Sequence, residues 1–337
     1  MRVLVTGAAG FIGFHLARRL LAEGHTVTGL DALTPYYDPA LKRRRLDQLA
    51  EAENFSFAEV ALENHAALNE VFGAARPERV FHLAAQAGVR YSIENPRAYL
   101  DANLVGTFNL LEACRAHPVG HLMLASTSSA YGANSKIPFE ETDPAVHPIT
   151  LYAATKASTE LMAHSYAHLF AIPTTAFRFF TVYGPWGRPD MAYFLFTRAI
   201  LASEPIRLFN HGESRRDFTY VDDLIEAILR LAAQVPPAPD AREGATPLLG
   251  DTLSPAAPYR LVNIGAGRPV RLTDFVAEIE RALGLGAKRV LEPLPPGDVE
   301  QTFASADLLE RLTGYRPTTP LSTGIPAFVA WYRRHYN

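Results

Sequence analysis

The sequence predicts an α/β protein with a doubly wound parallel sheet of the Rossmann type and a smaller mixed α/β substrate-binding domain. Short apolar runs alternate with segments of helical period over roughly the first 180 residues. Such alternation is typical of parallel strands that helices cover on both faces. A glycine-rich turn at residues 7–13 separates the first strand from the first helix. The length of 337 residues predicts two domains, 1–180 and mainly 181–337, with some chain returning to the first.

The first domain is predicted to contain five strands with helices between them. Each strand candidate is a continuous apolar run, as expected of a strand that is buried on both faces. The strand candidates are Val3–Val5, Thr26–Thr28, Phe55–Phe57, Val80–Leu83 and His121–Ala125. Segments with helical period include Phe14–Ala22 and Ala98–Ala116.

The pattern changes after about Arg178, where predicted helices mix with isolated strands. The helices are Ala192–Ala202, Asp222–Ala233 and Leu272–Leu283, and the strands are Arg260–Ile264 and Arg289–Glu292. Prolines and glycines cluster in residues 235–258 and predict a long surface loop or a partly disordered insert. For this loop, the role of a linker is favoured over that of an active-site lid.

Composition and charge exclude several classes of protein. Apolar residues make up 48% and charged residues 20%, which does not fit a disordered chain. The net charge is −3 and the one basic run is Lys42–Arg45, so no nucleic-acid partner is expected. The single cysteine, Cys114, allows neither an intrachain disulfide nor a cysteine metal cluster, and no metal site is expected. We expect a cytoplasmic protein without a membrane partner, because the sequence has neither a membrane-spanning apolar stretch nor a signal peptide.

The first functional motif is the turn that carries Gly7, Gly10, Phe11, Ile12 and Gly13. Glycines at this spacing let backbone N–H groups and a helix N-terminus approach a pyrophosphate without obstruction by Cβ atoms. The position after the first strand of a βαβ unit favours a dinucleotide site over the alternative, a turn that only serves packing.

Asp31 ends the second predicted strand and is the candidate residue for the adenosine ribose. A carboxylate there accepts hydrogen bonds from ribose hydroxyls and repels a 2′-phosphate, which favours NAD over NADP. The alternative is an aspartate that caps a helix. The basic run Lys42–Arg45 is interpreted as a solvated helix face, with Lys42 as a further contact to the ribose.

The catalytic motif is the pair Tyr152 and Lys156, which lie one turn apart on a predicted helix. A phenol has a pKa of about 10, so a nearby ammonium group and a positive nicotinamide ring are needed to make it a base near neutral pH. Thr127 follows the fifth predicted strand and can hydrogen-bond the same reacting oxygen. The alternative is a surface pair without a function.

Taken together, these motifs resemble the extended short-chain dehydrogenase/reductase family, and the resemblance covers nearly the whole chain. Further segments resemble its nucleotide-sugar epimerase branch: His82–Arg90, Asn103–Thr107, Arg178–Pro185 and Arg216–Asp223. Three more segments resemble the UDP-glucuronate 4-epimerases within that branch: Tyr36–Asp38, Trp186–Met191 and Pro296–Val299.

The resemblance implies reversible, NAD-dependent 4-epimerisation of UDP-glucuronate to UDP-galacturonate. Tyr152, as phenolate, would remove the C4 hydroxyl proton while a hydride passes to NAD, and the resulting 4-keto sugar would turn before its reduction. NAD would stay bound, because each turnover regenerates it. Asn103 is expected to position Lys156, and its alternative is a helix cap. The further cofactor residues that the resemblance implies are Leu83, Ala84, Ala85, Gln86, Asn103, Tyr152, Lys156, Phe179 and Val182.

For the substrate, the resemblance implies a pocket that holds the sugar carboxylate. Related 4,6-dehydratases and UDP-glucuronate decarboxylases carry carboxylates after the threonine, whereas this chain has small hydroxyl residues there. The residues expected around the carboxylate are Thr127, Ser128, Ser129, Thr181 and Arg188, besides the catalytic Tyr152. The alternative is that the serines only form a polar strand end.

Arginines are the expected ligands of the substrate diphosphate. Arg216 is the first candidate, because a planar guanidinium matches phosphate oxygens, and Arg90 is the second. The alternative for Arg216 is an ion pair with Asp222 or Asp223.

The chain departs from the family pattern at two positions. Ala61 stands near the place of an aspartate that meets the adenine amine, and Pro295 stands where a glutamine is frequent. These departures put one adenine contact and one uracil or ribose contact in doubt.

Other features bear on metal binding and assembly. His164 and His168 have the spacing of zinc ligands but lack the accompanying glutamate, so surface or interface histidines are favoured. The resemblance implies a homodimer in which helices 98–116 and 152–170 form a four-helix bundle. Alternative functions are 4-epimerisation of UDP-glucose or of a UDP-N-acetylhexosamine, decarboxylation of UDP-glucuronate, and a non-catalytic NAD-sensing regulator of the same fold.

Overall fold

A computed structural model gives the positions of residues 1–242, 248–294 and 299–336. Two sequence predictions therefore lie partly outside the described residues. One is the loop 235–258, of which 243–247 are not described. The other is the segment Pro296–Val299, of which only Val299 is described, and the departure at Pro295 lies outside as well.

The first part of the chain alternates strands and helices from the N-terminus to residue 179. In chain order the elements are β1 (Arg2–Thr6), α1 (Phe11–Ala22), β2 (Thr26–Asp31), α2 (Pro39–Leu49), β3 (Phe55–Glu59), α3 (His65–Ala75), β4 (Arg79–His82), α4 (Tyr91–Glu94), α5 (Pro96–Tyr99), α6 (Gly106–Ala116), β5 (His121–Thr127), α7 (Leu151–Phe170) and β6 (Thr174–Phe179).

The rest of the chain contains shorter strands and five further helices among the described residues. They are β7 (Thr181–Tyr183), α8 (Ala192–Leu201), β8 (Pro205–Leu208), β9 (Arg215–Tyr220), α9 (Val221–Ala232), β10 (Tyr259–Ile264), β11 (Pro269–Arg271), α10 (Leu272–Leu283), β12 (Lys288–Leu291), β13 (Gln301–Thr302), α11 (Asp307–Thr313) and α12 (Leu321–Tyr336).

Seven parallel strands form the main sheet in the order β10-β6-β5-β4-β1-β2-β3. This architecture confirms the predicted Rossmann-type fold and all five strand candidates. The strand predicted at Arg260–Ile264 is not isolated, since it pairs with β6 from Tyr259↔Thr174 to Ile264↔Phe179 and closes one edge of the sheet. Val262 and Ile264 are fully buried there, which supplies the physical reason for the pairing.

Two apolar layers cover the sheet, one on each face. Val3 and Val5 of β1 pack in one layer and Leu4 packs in the other, as the alternation of strand side chains requires. The first layer includes Phe14 of α1, and the second includes Cys114 of α6, a free and buried cysteine. Both faces are therefore buried, which explains why the strands are continuous apolar runs.

The predicted helix Ala98–Ala116 is interrupted. α5 ends at Tyr99, a π-helical turn follows at Leu100–Val105, and α6 begins at Gly106. π-Helical turns are frequent at functional sites because they redirect side chains locally. Here the turn contains Asn103, whose side chain points inward and is 1% exposed.

The shorter strands of the second part build two small sheets. β9 lies between β11 and β13 and also pairs with β7, while β8 pairs with β12. Of the described helices, not one is both long and apolar enough to span a membrane.

The described part of the loop 235–258 is fastened to α7. His164 shares a hydrogen bond of 2.8 Å with Ser254, and Nδ1 of His168 lies 2.6 Å from the carbonyl of Ala256. The two histidines therefore anchor this loop to α7. Among the described residues, no cluster of three histidine, cysteine or acidic side chains could hold a metal ion.

Candidate active site

The candidate site lies at the carboxyl edge of the parallel sheet, where the loops after six of its strands meet. The predicted residues that line its first cavity, of about 270 Å³, are Gly7, Gly10, Phe11, Ile12, Gly13, Asp31, Lys42, Leu83, Ala84, Ala85, Gln86, Thr127, Tyr152, Phe179, Val182 and Arg188. Ligands of open parallel sheets bind at this edge because the loops after the strands diverge there. We call this space the cofactor cavity.

The glycine turn forms the floor of the cofactor cavity. Gly7 has a φ of +73°, and a Cβ atom there would lie 2.8 Å from the backbone nitrogen of Ala84. Gly10 donates a backbone hydrogen bond of 2.9 Å to Gly7 and precedes α1 without a side-chain cap. The N-terminus of α1 is thus open to the cavity, an arrangement that suits the pyrophosphate of a dinucleotide.

Asp31 lies at the end of β2 and faces the same cavity. Its Oδ1 accepts a 2.8 Å hydrogen bond from the backbone of Leu33 and lies 3.6 Å from Nζ of Lys42. The carboxylate therefore belongs to the turn after β2 and caps no helix in the described structure. Its second oxygen can accept hydrogen bonds from a ribose.

The interpretation of Lys42–Arg45 as a solvated face is wrong for two of its four residues. Lys42 and Arg45 are 6% and 0% exposed, whereas Arg43 and Arg44 are exposed. The helical period explains the division, because residues three apart on α2 lie on the same face and that face packs inward.

Tyr152 is the second residue of α7 and borders the cofactor cavity. Burial raises the pKa of its phenol, while a hydrogen bond with Thr127 and the charge of Arg188 act in the opposite direction. Lys156 is 3% exposed and lines neither described cavity. Burial lowers the pKa of Lys156 to about 8, and the charge of Glu160 opposes this shift. A positive charge close to the phenol would act against the effect of burial and lower the pKa of Tyr152.

Asn103 lies behind the cavity wall, where its side chain bonds to the loop after β4 and to α7. Its Oδ1 accepts a 2.8 Å hydrogen bond from the backbone of Gln86, and its Nδ2 donates to Gln86 and to Thr155 at 3.1 Å each. Asn103 therefore connects the loop after β4 with the residue before Lys156, and it is not a helix cap. This bridge joins side chains from distant parts of the chain, so a local sequence pattern could not predict it.

A second cavity of about 320 Å³ adjoins the first, and we call it the substrate cavity. All residues that were predicted to bind the substrate line it: Arg90, Thr127, Ser128, Ser129, Tyr152, Thr181, Arg188 and Arg216. Thr127, Tyr152 and Arg188 line both cavities. A ligand in either cavity therefore meets the same hydroxyl groups and the same guanidinium.

The charged wall of the substrate cavity is built by arginines. Arg188 pairs with Asp190 through Nε and Oδ1 at 3.0 Å, and Tyr36 donates a 3.0 Å hydrogen bond to Asp190. The side chain of Arg188 keeps 24% of its surface exposed. The guanidinium of Arg90 lies 4.6 Å from the ring centre of Phe209.

Arg216 is oriented by backbone carbonyl groups. Its guanidinium donates to the carbonyl groups of Arg215, Val299 and Glu300 at 2.9, 2.6 and 3.0 Å. The alternative partners are engaged elsewhere: Asp222 lies 3.6 Å from His15, and Asp223 accepts hydrogen bonds from Thr318 and Thr319.

Several residues of the cofactor cavity were not predicted as site residues. They are Leu30, Ala32, Thr34, Tyr36, Tyr37, Val60, Leu62, Glu63, Ala87, Ala102, Ser126, Phe180 and Met191. Most follow the ends of β2, β3, β4, β5 and β6, and this position was a usable signal, since the carboxyl ends of parallel strands share one edge. Ala61 lies between the lining residues Val60 and Leu62.

Residues 3–241 match the NAD dependent epimerase/dehydratase family. The chain is 57% identical to a probable UDP-glucuronate 4-epimerase of Rhizobium meliloti (strain 1021), over 100% of this chain and 98% of that protein. It is similar to the crystal structure of UDP-glucuronic acid 4-epimerase from Bacillus cereus in complex with UDP-glucuronic acid and NAD, with a TM-score of 0.87, 32% identity and full coverage of both chains. It is also similar to a UDP-glucose 4-epimerase of Thermotoga maritima with UDP-glucose, with a TM-score of 0.85, 29% identity and full coverage of both chains.

Proposed function

This chain belongs to the NAD dependent epimerase/dehydratase family, and we propose that it is a UDP-glucuronate 4-epimerase. It would interconvert UDP-glucuronate and UDP-galacturonate with NAD as a bound cofactor. The observation that carries the proposal is the meeting of the two cavities at Thr127, Tyr152 and Arg188. A phenol, a hydroxyl group and a guanidinium there suit a sugar that has both a reacting hydroxyl group and a carboxylate.

The residues that line the cofactor cavity suit the pyrophosphate and the adenosine ribose of NAD. The glycine turn and the open N-terminus of α1 would hold the pyrophosphate, and Asp31 would accept hydrogen bonds from the adenosine ribose. The carboxylate also disfavours the 2′-phosphate of NADP. When bound, NAD supplies a hydride acceptor and donor for C4 of the sugar, which allows a 4-keto sugar to form and to be reduced on its other face.

The proton chemistry falls to residues of this chain. Tyr152 would exchange the proton of the C4 oxygen, and the hydroxyl group of Thr127 would hydrogen-bond the same oxygen. Lys156 lies one turn further along α7, and its ammonium group would favour the phenolate form of Tyr152.

The carboxylate pocket would protect the substrate from decarboxylation. A carboxylate β to a ketone leaves readily as CO₂ unless it is held in place. Thr127, Ser128, Ser129 and Thr181 offer hydroxyl donors on one wall of the substrate cavity, and Arg188 adds a charge-assisted donor. Arg216 and Arg90 would bind the diphosphate.

A second candidate function is 4-epimerisation of UDP-glucose, which the similarity to the Thermotoga maritima enzyme supports. The hydroxyl residues and Arg188 favour the uronate, because a carboxylate accepts stronger hydrogen bonds from these donors than a neutral hydroxymethyl group does.

We expect the purified protein with NAD to convert UDP-glucuronate into an equilibrium mixture with UDP-galacturonate. Proton NMR of the sugar products checks this result, and UDP-glucose in a parallel reaction tests the second candidate. Release of UDP-xylose and CO₂ would overturn the proposal in favour of decarboxylation. No change in either sugar would support a non-catalytic regulator.

The proposal also assigns the two ligands to different parts of the chain. Residues 1–180 would bind NAD, and residues 181–337 would mainly bind the UDP-sugar, with β10 returning to the main sheet. The proposal includes a cytoplasmic location, because the proposed reaction needs NAD and a nucleotide sugar.

We further propose that the protein is a homodimer through α6 and α7. Apolar side chains on these helices and the turn before α6 are solvent-exposed in the single chain: Leu100, Val105, Phe108, Leu161, Leu169 and Phe170. Leu161 has 74% of its surface exposed, an unfavourable position unless a partner covers it. The shared helices would form a four-helix bundle.

Leu161→Glu is expected to convert the dimer into a monomer, because it places an unpaired charge in this apolar surface. Sedimentation analysis measures the change. Leu249→Glu is the matched control, since Leu249 is 84% exposed and lies outside both helices, and it should leave the dimer intact. A wild-type monomer, or a dimer that persists in Leu161→Glu, would contradict the proposed interface.

A further inference from the structure

The turn between β7 and α8 has an unfavourable backbone conformation next to the carboxylate pocket. Trp186 has a φ of +59°, in the left-handed region that large side chains rarely adopt. The following Gly187 has no room for a side chain, because a Cβ atom would collide with the ring of Tyr193. Arg188 comes next and reaches both cavities. Such a turn persists only where its surroundings hold it in place.

Two side chains from the N-terminal part of the chain hold the carbonyl groups of this turn. Arg45 of α2 donates through Nη2 to the carbonyl groups of Trp186 at 2.5 Å and Gly187 at 3.2 Å. Nε2 of His15 in α1 lies 2.9 Å from the carbonyl of Pro185. We call these two side chains the turn clamp.

Arg45 also reaches the glycine turn of the cofactor cavity. Its Nη1 donates to the carbonyl of Ala9 and to the hydroxyl group of Tyr37, both at 2.8 Å. One guanidinium therefore connects the glycine turn, the loop after β2 and the turn that precedes Arg188. A planar group with a fixed fork of donors can span these acceptors, and a lysine ammonium cannot.

The surroundings of Arg45 indicate a specific role and not a general packing role. The side chain is fully buried, and its four hydrogen bonds all go to uncharged acceptors. Burying a charge among neutral groups is costly, whereas an apolar side chain would fill the space at lower cost. His15 is likewise buried, and burial lowers its pKa, so it donates as a neutral ring near neutral pH.

We propose that Arg45, assisted by His15, is a positioning residue that holds the turn at 185–187 and thereby fixes Arg188 between the two cavities. Arg188 is also anchored from its other side, since its backbone N–H donates to Tyr193 at 3.2 Å and its guanidinium pairs with Asp190. Without the turn clamp, Trp186 relaxes to a negative φ and the guanidinium of Arg188 moves away from the carboxylate of the substrate. The inference rests on the proposed function, because it assigns the clamp to recognition of the uronate.

A double-mutant cycle between Arg45→Lys and Arg188→Gln tests the proposal with saturating NAD. Arg45→Lys is expected to lower kcat/KM for UDP-glucuronate by roughly 10- to 100-fold, with KM changing more than kcat, because a small displacement of a positioning group has such effects. In the Arg188→Gln background the same change should cost less than about 3-fold, since coupled residues are not additive. Arg43→Gln is the matched control on α2, where Arg43 is exposed, and it should behave as wild type.

Each outcome of the cycle decides the inference. Equal losses in both backgrounds would show that Arg45 acts independently of Arg188, and a wild-type value for Arg45→Lys would show that the clamp has no role. If Arg45→Lys does not fold, His15→Phe replaces it in the cycle, because it keeps an aromatic ring beside Phe14 and removes the donor to Pro185, together with the Nδ1 contacts to Arg18 and Asp222. A wild-type protein that binds UDP-glucuronate without converting it would refute the proposed function. The double-mutant cycle would then be measured with dissociation constants from calorimetry in place of kcat/KM. A wild-type protein that does not bind it would overturn both.

Discussion

Tyr152→Phe is expected to reduce the turnover of UDP-glucuronate by roughly 100- to 10,000-fold, the range for removal of a general acid–base group. The substitution removes one oxygen atom at the boundary of the two cavities and keeps the ring that packs at 5.9 Å, edge to face, against Tyr99. The substitution does not alter the glycine turn or Asp31, to which the pyrophosphate and the adenosine ribose are assigned. The NAD content of the purified variant should therefore equal that of the wild type.

Tyr166→Phe on the same helix is the matched control for this variant. Its hydroxyl group donates to Glu112 at 2.6 Å, and the residue lines neither described cavity. Its turnover should match that of the wild type. Turnover by Tyr152→Phe at the wild-type rate would remove Tyr152 from the proton chemistry, whatever the substrate.

Glu160→Ala is expected to lower the free energy of unfolding by about 3–5 kcal/mol, the cost of leaving one member of a buried ion pair without its partner. Glu160 on α7 accepts two hydrogen bonds from Arg178 of β6, at 2.9 and 2.7 Å, and one from Ser126 of β5. Both charged side chains are almost completely buried. The substitution would leave the guanidinium of Arg178 unpaired in the core.

Glu278→Ala provides the comparison for a surface pair. Its partner Arg281 lies three residues further along α10 with 68% of its side chain exposed. Such pairs contribute about 1 kcal/mol or less to the free energy of unfolding. Denaturant unfolding of both variants against wild type measures the difference. Equal, small losses of stability in the two variants would contradict the importance assigned to the buried pair.

The same ion pair has a consequence for the candidate site. Glu160 lies one turn after Lys156, and its charge raises the pKa of that lysine against the effect of burial. Ser126 precedes Thr127 at the end of β5, so the pair also holds the strand end that carries the reacting hydroxyl group. Stability and the proton chemistry of this site therefore depend partly on the same contacts.

Local patterns were sufficient for much of the fold. The period of the apolar residues marked all five strand candidates, because parallel strands buried on both faces need continuous apolar runs. The strand at Arg260–Ile264 was also found, but not its place in the main sheet. That place depends on pairing with β6, whose register partners lie 85 residues away along the chain, and no local pattern contains this partner.

The basic run at 42–45 shows a second limit of local patterns. A run of charged residues on a helix is usually solvated, yet Arg45 is buried at the centre of a hydrogen-bonded cluster. Its acceptors come from residues 9, 37, 186 and 187, which are brought together only when the chain has folded. Similarly, the contact of Asn103 with Thr155 arises from a π-helical turn that the helical period did not predict.

The sequence by itself determined the elements whose signals are short in range: the glycine turn after β1, the acidic end of β2, and a tyrosine and a lysine one helical turn apart. These depend on backbone geometry and residue spacing, which are local properties. The tertiary structure alone decided how Thr127, Tyr152 and Arg188 come to border both cavities. It also decided which buried arginines are held by carbonyl groups and which by a carboxylate, since burial and long-range contacts depend on the packing of the whole chain.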